Sequence, residues 1–337
     1  MGKNHLYIQR QVFLISNEHF AKFKSHKILI AKIKNKDANV LKKNMLSPFN
    51  DDICIYSVEN YIQFQSETKP IMAVYNQNEH SILYKNENIK NDQLVMNLVE
   101  ICKNIINKES NLNISPIYYN VIPINEKEGI LEIINQSKTL ADLYNNNISI
   151  LNFIFRDETK PIKEPRNNFT KSTAFYYVIC YLFGIEDRHL NNIMIREDGN
   201  LFHIDFGWMF GKDPKNVDCS TRITESIVEA IGGYNSNNFE NFKDMLKEMV
   251  KCLCKYYDFF MAYIDPTDEQ KIELDKRFLH GDPKSGDILV EKINNQPYLQ
   301  FLITDFAHSG SIQYKTYTDN IFTYIGNLGS FNNLKIW

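Results

Sequence analysis

The fold is decided by residues 184–207, GIEDRHLNNIMIREDGNLFHIDFG. An apolar run ends at Gly184, charged residues crowd Asp187, Arg188 and His189, and two short apolar stretches, IMI and LFHI, flank a turn built on Asp198, Gly199 and Asn200. The pattern reads as loop, strand, turn, strand, loop. Asn192 stands at the start of the first strand and Asp205 just past the second, a separation that suits a β-hairpin presenting the two side by side. An amide oxygen beside a carboxylate is a hard-oxygen pair of the kind that binds Mg²⁺. Asp187 and His189, on the loop that enters the hairpin, are placed to take a proton from an attacking hydroxyl.

Around this core the chain divides by periodicity. ICIYSV (53–58), YIQFQS (61–66), KPIMAVY (69–75) and SILYK (81–85) are short β-branched and aromatic runs, and IYYNVIPI (117–124) and GILEII (129–134) continue them. Between them NDQLVMNLVEICKNIIN (91–107) repeats apolar residues at helical spacing, with Asn91 or Asp92 able to cap its start. Beyond residue 150 helical patterns dominate: TKSTAFYYVICYLFG (170–184) is too apolar to have a wet face and stops at Gly184, and residues 238–264 read as one long helix. The sequence therefore predicts an α+β chain of two lobes, β-rich then mainly helical. The expected segments are a helical extension over 1–55, a β-rich lobe over 56–135, a helical lobe over 136–265 and a divergent region over 266–337.

Composition removes several function classes. The chain has 337 residues, with Lys+Arg 38 against Asp+Glu 41 and a net charge of −3, so no nucleic-acid coat is expected. A 43% hydrophobic share excludes a disordered chain. No 18-residue apolar run is present to span a bilayer, the first residues lack a secretory pattern, and Leu6 stands where N-myristoylation wants Ser or Thr. The six cysteines, Cys54, Cys102, Cys180, Cys219, Cys252 and Cys254, contain no CxxC pair, and they read as reduced, mostly buried thiols of a cytosolic protein.

DRHLNN followed by DFG resembles the catalytic and activation loops of the phosphatidylinositol 3-/4-kinase family, in which DRH replaces the HRD of ordinary protein kinases. QSETKPIMAVY resembles that family's phosphate-binding loop, with Ser66, Lys69 and Pro70 at its spacing. ILYKNENIKNDQL resembles the strand and helix carrying the ATP lysine, here Lys85, and its helix acid, here Asp92. GILEII resembles the hinge strand, so the backbone of Glu132 and Ile134 is expected to meet adenine, with Tyr119 ten residues before Gly129 as in the family.

The resemblance implies the two-lobed protein-kinase-like fold, ATP with Mg²⁺ (or Mn²⁺ in its place), and a phosphatidylinositol at a membrane surface as acceptor. Asn192 and Asp205 are then the metal ligands, and Asp187, His189 and Lys85 the catalytic set. The segment after DFG looks most like that of class III phosphatidylinositol 3-kinases, with Lys212 and Lys215 as substrate contacts. Lys212, Lys215 and Arg222 are interrupted by Asp213 and Asp218, too few cations for a polyphosphorylated headgroup. The implied reaction is transfer of the ATP γ-phosphate to the 3-hydroxyl, in a cytoplasmic, peripherally membrane-associated enzyme that a regulatory or recruiting protein would bring to its lipid. A 4-kinase, a protein Ser/Thr kinase of the same superfamily and an inactive interaction module are the competing readings. Departures from the family pattern are Glu186 where glycine is common before DRH, a shortened stretch between Lys85 and Asp92, and residues 266–337.

Overall fold

The computed structural model describes residues 31, 33, 35, 45–49, 54–55, 58–64, 68–75, 80–155, 163–212 and 223–295. The chain forms two compact units, Met1–Gln93 with Tyr119–Asn135, and Leu94–Tyr118 with Gln136–Trp337.

The first unit is a five-stranded antiparallel sheet of β3 (Val58–Gln63), β4 (Ile71–Tyr75), β5 (His80–Lys85), β6 (Val121–Asn125) and β7 (Glu128–Glu132), in the order β3-β4-β5-β7-β6. Register follows side-chain alternation. Ile71 faces Tyr84, Ala73 faces Ile82, and Tyr84 faces Ile130. These residues share one face and pack with Ile33, Ile55 and Tyr75 into one buried cluster. Pro123 lies in β6, an edge strand, where a missing N–H does not interrupt the ladder. Gly129 sits opposite Lys85, and a Cβ there would meet Ile89 Cδ1 at 2.2 Å, so only glycine lets Ile89 close over the strand.

Within the expected helical extension, Ala31 and Ile33 are helical and Asn35 N donates to Ala31 O at 3.1 Å. Further on, β1 (Met45–Leu46) and β2 (Cys54–Ile55) pair antiparallel, so helix does not run through residue 55; Pro48 between them is incompatible with a helix interior.

Helix α1 (Lys90–Glu109) begins in the first unit and from Leu94 belongs to the second. It starts ahead of both expected caps. The Asn88 side-chain oxygen accepts from Lys90 N at 3.1 Å, and Asp92 lies inside the first turn, where its charge meets the positive end of the helix dipole.

In the second unit, α4 (Lys163–Leu182) is the central element: from Phe169 to Leu182 every residue but Lys171 is buried. That is why its sequence shows no polar face. It ends as the glycine signal predicts. Gly184 has φ +55°, and Ile185 N turns back to Cys180 O at 2.9 Å. Around it lie α2 (Leu140–Asn145), α3 (Ile150–Ile154), α5 (Glu225–Ile231), α6 (Asn237–Cys254), α7 (Tyr257–Ile264), α8 (Asp268–Phe278) and α9 (Ser285–Asn294). A three-stranded sheet of β8 (Ser137–Thr139), β9 (Ile193–Arg196) and β10 (Leu201–His203) completes the unit. The single helix expected over 238–264 is broken at Lys255 and Tyr256. Both are gripped by Glu109, whose carboxylate accepts from Lys255 Nζ at 2.9 Å and from Tyr256 Oη at 2.8 Å.

Four of the cysteines, Cys102, Cys180, Cys252 and Cys254, are free and buried. Burial pushes the thiols of Cys180 and Cys254 up to about 12 from an ordinary 9.0. Burial raises Cys102 as well. Because the thiolate is the nucleophile, alkylation of these three at mildly alkaline pH should be at least about a hundredfold slower in the native protein than in the denatured chain. Mass spectrometry after pulsed labelling measures this, and equal rates would contradict their burial.

Candidate active site

The loop before β9 is built around an arginine that sequence reading passed over. Arg188 is 1% exposed. Its guanidinium donates to three backbone carbonyls: Nε to Glu186 O at 2.8 Å, one terminal nitrogen to Ile204 O at 2.9 Å, and the other to Asp205 O. It also lies 5.2 Å from the Phe206 ring centre. One side chain thus ties the loop entering the hairpin to the loop leaving it. Ile204 N adds a bond to Asn192 O at 3.1 Å, which sets the two loops together at their bases.

The residues singled out by the sequence sit on this frame. Asp187 and Asp205 both adopt left-handed backbone, φ +58° and +62°. Aspartate tolerates that region better than most residues, and it is sparsely used outside glycine unless the surroundings impose it. His189 is 6% exposed; its Nε2 lies 3.7 Å from Asp187 Oδ2. Asn192, also buried, donates its Nδ2 to Asp187 O at 3.1 Å, which turns the amide oxygen away as an acceptor. The Asp205 side chain is exposed. Among the described residues no group of three or more His, Cys, Asp or Glu could hold a metal ion. One amide oxygen and one exposed carboxylate nevertheless fit Mg²⁺, which completes its shell with water and nucleotide oxygens and not with a closed protein cage.

Glu186, the departure before DRH, is paired with α8. Its carboxylate accepts from Arg277 of α8 at 2.9 Å, with side-chain exposures of 8% for Arg277 and 1% for Glu186. The segment after DFG runs back along this loop: Glu186 N donates to Trp208 O at 3.0 Å and Gly211 N to Gly184 O at 2.9 Å. Lys212, expected at the substrate, is exposed and 3.6 Å from Glu269, a surface pair of small energetic weight. Lys215 lies outside the described residues, as does Ser66.

In the first unit Lys85 ends β5 and is 7% exposed. Its Nζ pairs with Glu87 Oε1 at 2.9 Å, an acid two residues away that the sequence reading did not assign. Asp92 is buried. Lys69 is exposed with φ +46° and precedes Pro70, whose carbonyl accepts from Phe64 N at 3.0 Å. Tyr119 is buried beside Asn120, whose backbone and side-chain nitrogens donate to Glu132 Oε2 at 3.0 and 2.7 Å. Glu132 N is committed to Asn120 O at 2.9 Å, and Ile134 lies half-buried just past the end of β7.

The family model for phosphatidylinositol 3- and 4-kinase matches residues 79–164 and 152–271, more than half of the chain, including the loops on either side of the β9–β10 hairpin. The chain belongs to the phosphatidylinositol 3- and 4-kinase family. It is similar to the phosphatidylinositol 3-kinase VPS34 of Candida glabrata, 31% identical over 233 residues that cover 65% of this chain and 26% of that protein. The nodule isoform of phosphatidylinositol 3-kinase from Glycine max is 36% identical over 180 residues, covering 52% of this chain and 22% of its own. VPS34 of Saccharomyces cerevisiae is 30% identical over 208 residues, covering 58% and 24%. The chain thus spans about a quarter of the length of these curated relatives. As a family member it has the expected α+β organisation, a sheet-rich N-terminal part and a mainly helical C-terminal part. No helix among the described residues is long and apolar enough to cross a membrane.

Proposed function

We propose that this protein transfers the γ-phosphate of ATP to the 3-hydroxyl of phosphatidylinositol. The observation that carries the reading is the Arg188-bound pair of loops, which sets Asp187, His189, Asn192 and Asp205 on one frame in a chain whose relatives are named phosphatidylinositol 3-kinases.

Asn192 and Asp205 would hold Mg²⁺, which when bound offsets the charge on the nucleotide phosphates. Asp187 and His189 form the proton-accepting pair for the attacking hydroxyl: the Asp187 carboxylate beside His189 favours the imidazolium that results. Lys85 is the phosphate lysine, kept in place by Glu87, while Asp92 supports it from α1. Ser66 and Lys69 belong to the loop over the phosphates. Adenine would be met by backbone groups of Glu132 and Ile134, with Tyr119 packed behind them. Since Glu132 N is already bonded to Asn120, its part in that contact falls to its carbonyl. Lys212 and Lys215 would meet the lipid phosphate. The chain would reach its lipid peripherally, from the cytoplasmic side, brought there by a recruiting protein.

The test is incubation of the full chain with phosphatidylinositol vesicles and Mg-ATP, with chromatography that separates 3- from 4-phosphate. The expected product is phosphatidylinositol 3-phosphate. Formation of the 4-phosphate alone, or transfer only to a peptide offered in parallel, would replace this reading. Absence of transfer together with no thermal shift at saturating nucleotide would make the domain a scaffold.

A further inference from the structure

We propose that Arg277 is a positioning residue for phosphoryl transfer, holding the catalytic loop and the start of the substrate loop on α8; this rests on the kinase reading above. Arg277 lies outside the region matched to the family model, which ends at residue 271. It is 7% exposed, and all three of its guanidinium nitrogens are used. Nε donates to Glu273 Oε1 at 2.8 Å, one terminal nitrogen to Tyr181 O at 3.0 Å in the last turn of α4, and the other to Glu186 Oε1 at 2.9 Å. Its own carbonyl accepts from Ser285 Oγ at the start of α9. A fixed planar fork can satisfy three acceptors in different directions; an ammonium on a flexible stem cannot do so from one position.

What Arg277 holds is the junction where two functional segments cross. Glu186 is adjacent to Asp187, and its carbonyl accepts from Arg188, whose other bonds reach Ile204 and Asp205. The path therefore runs from α8 through the Glu186 carboxylate and backbone to the metal-binding loop. The segment after DFG is packed into the same corner. A Cβ on Gly184 would sit 2.5 Å from Gly211 N and 3.1 Å from Arg277 Nε, and one on Gly211 would sit 2.7 Å from the Glu273 carboxylate. Both glycines have positive φ, +55° and +74°. Glu186, where the family commonly has glycine, thus has a dedicated partner far along the chain.

The experiment compares Arg277→Met, Arg277→Lys and the double variant Glu186→Gln/Arg277→Met in the full chain. It measures lipid-kinase kcat and KM for ATP, thermal midpoint, and amide exchange of residues 185–189 and 208–211. A lone Met leaves Glu186 buried without its cation, so folding loss is expected in the single variant and relief of it in the double. A merely structural pair predicts that the double variant regains both stability and kcat. Positioning predicts that stability returns while kcat stays down by at least about tenfold, with KM for ATP within about twofold and faster exchange in both segments. Lysine should restore kcat only in part. Recovery of full kcat in the double variant, or an Arg277→Lys protein with wild-type kcat and exchange, overturns the proposal. If neither Met variant folds, Arg277→Lys alone decides by the same two readouts. An inactive wild type would refute the kinase reading instead, and unchanged exchange in the variants would still refute this one.

Discussion

Asp205→Asn is expected to reduce transfer by at least about a thousandfold while leaving the protein folded. The side chain of Asp205 is exposed, so little packing is lost, and the group that Arg188 holds is the Asp205 carbonyl, which the substitution keeps. Asparagine also accepts left-handed backbone, so φ +62° is retained without new strain. Alanine at the same position removes the same charge but adds roughly 1–2 kcal/mol of backbone cost, which makes it the poorer probe. The activity loss would come from the missing charge opposite the nucleotide's metal ion. Thermal melts with and without Mg-ATP supply the control: the apo midpoint should stay near that of the wild type and the nucleotide-dependent shift should shrink. Undiminished lipid phosphorylation by the Asn variant would refute the proposed role of Asp205 as a metal ligand.

Arg188→Met should have the largest effect on stability, on the order of 3–5 kcal/mol, together with loss of activity. A side chain 1% exposed is donating to three carbonyls, and methionine fills the space without offering any donor. Each buried carbonyl left without a partner costs about 1–3 kcal/mol, less where water can enter. The carbonyls of Ile204 and Asp205 belong to residues with some solvent exposure, which keeps the total below the sum of three full penalties. Arg188→Lys should recover only part, since an ammonium cannot span acceptors on both loops. Urea titration measures the difference. A Met variant with the wild-type midpoint would mean that the two loops are joined by the hairpin alone.

The parts of the molecule that were legible in the sequence depend on local rules. The β9–β10 hairpin follows from apolar alternation around a turn, with Gly199 at φ +91° and Asp198 accepting from Asn200 N at 3.0 Å. The stop of α4 follows from Gly184, and the buried character of that helix from its uninterrupted apolar run. The places of Asp187, His189, Asn192 and Asp205 on the loops either side of that hairpin were readable because their spacing is short.

Pairings made across long stretches of chain left no trace in the pattern. Glu186 and Arg277 are 91 residues apart, and Glu109 and Lys255, which pair where the expected long helix is broken, are 146 apart. Arg188 was invisible for another reason: its partners are main-chain carbonyls, which every residue has. Asn88 in place of Asn91 or Asp92 at the start of α1, and Glu87 beside Lys85, were local, yet several acids and amides crowd residues 86–92 and periodicity cannot rank them.

The position of Arg277 also bears on where this domain can be cut. A fragment trimmed at residue 271, the end of the family match, would look complete by homology and retain every motif residue. It would nevertheless strip the counter-ion from a carboxylate with 1% exposure and take the Arg277 donor from the Tyr181 carbonyl in the last turn of α4. Such a fragment should come out of cells as insoluble material. The shortest soluble version would have to extend through α9, where Ser285 fastens the Arg277 main chain.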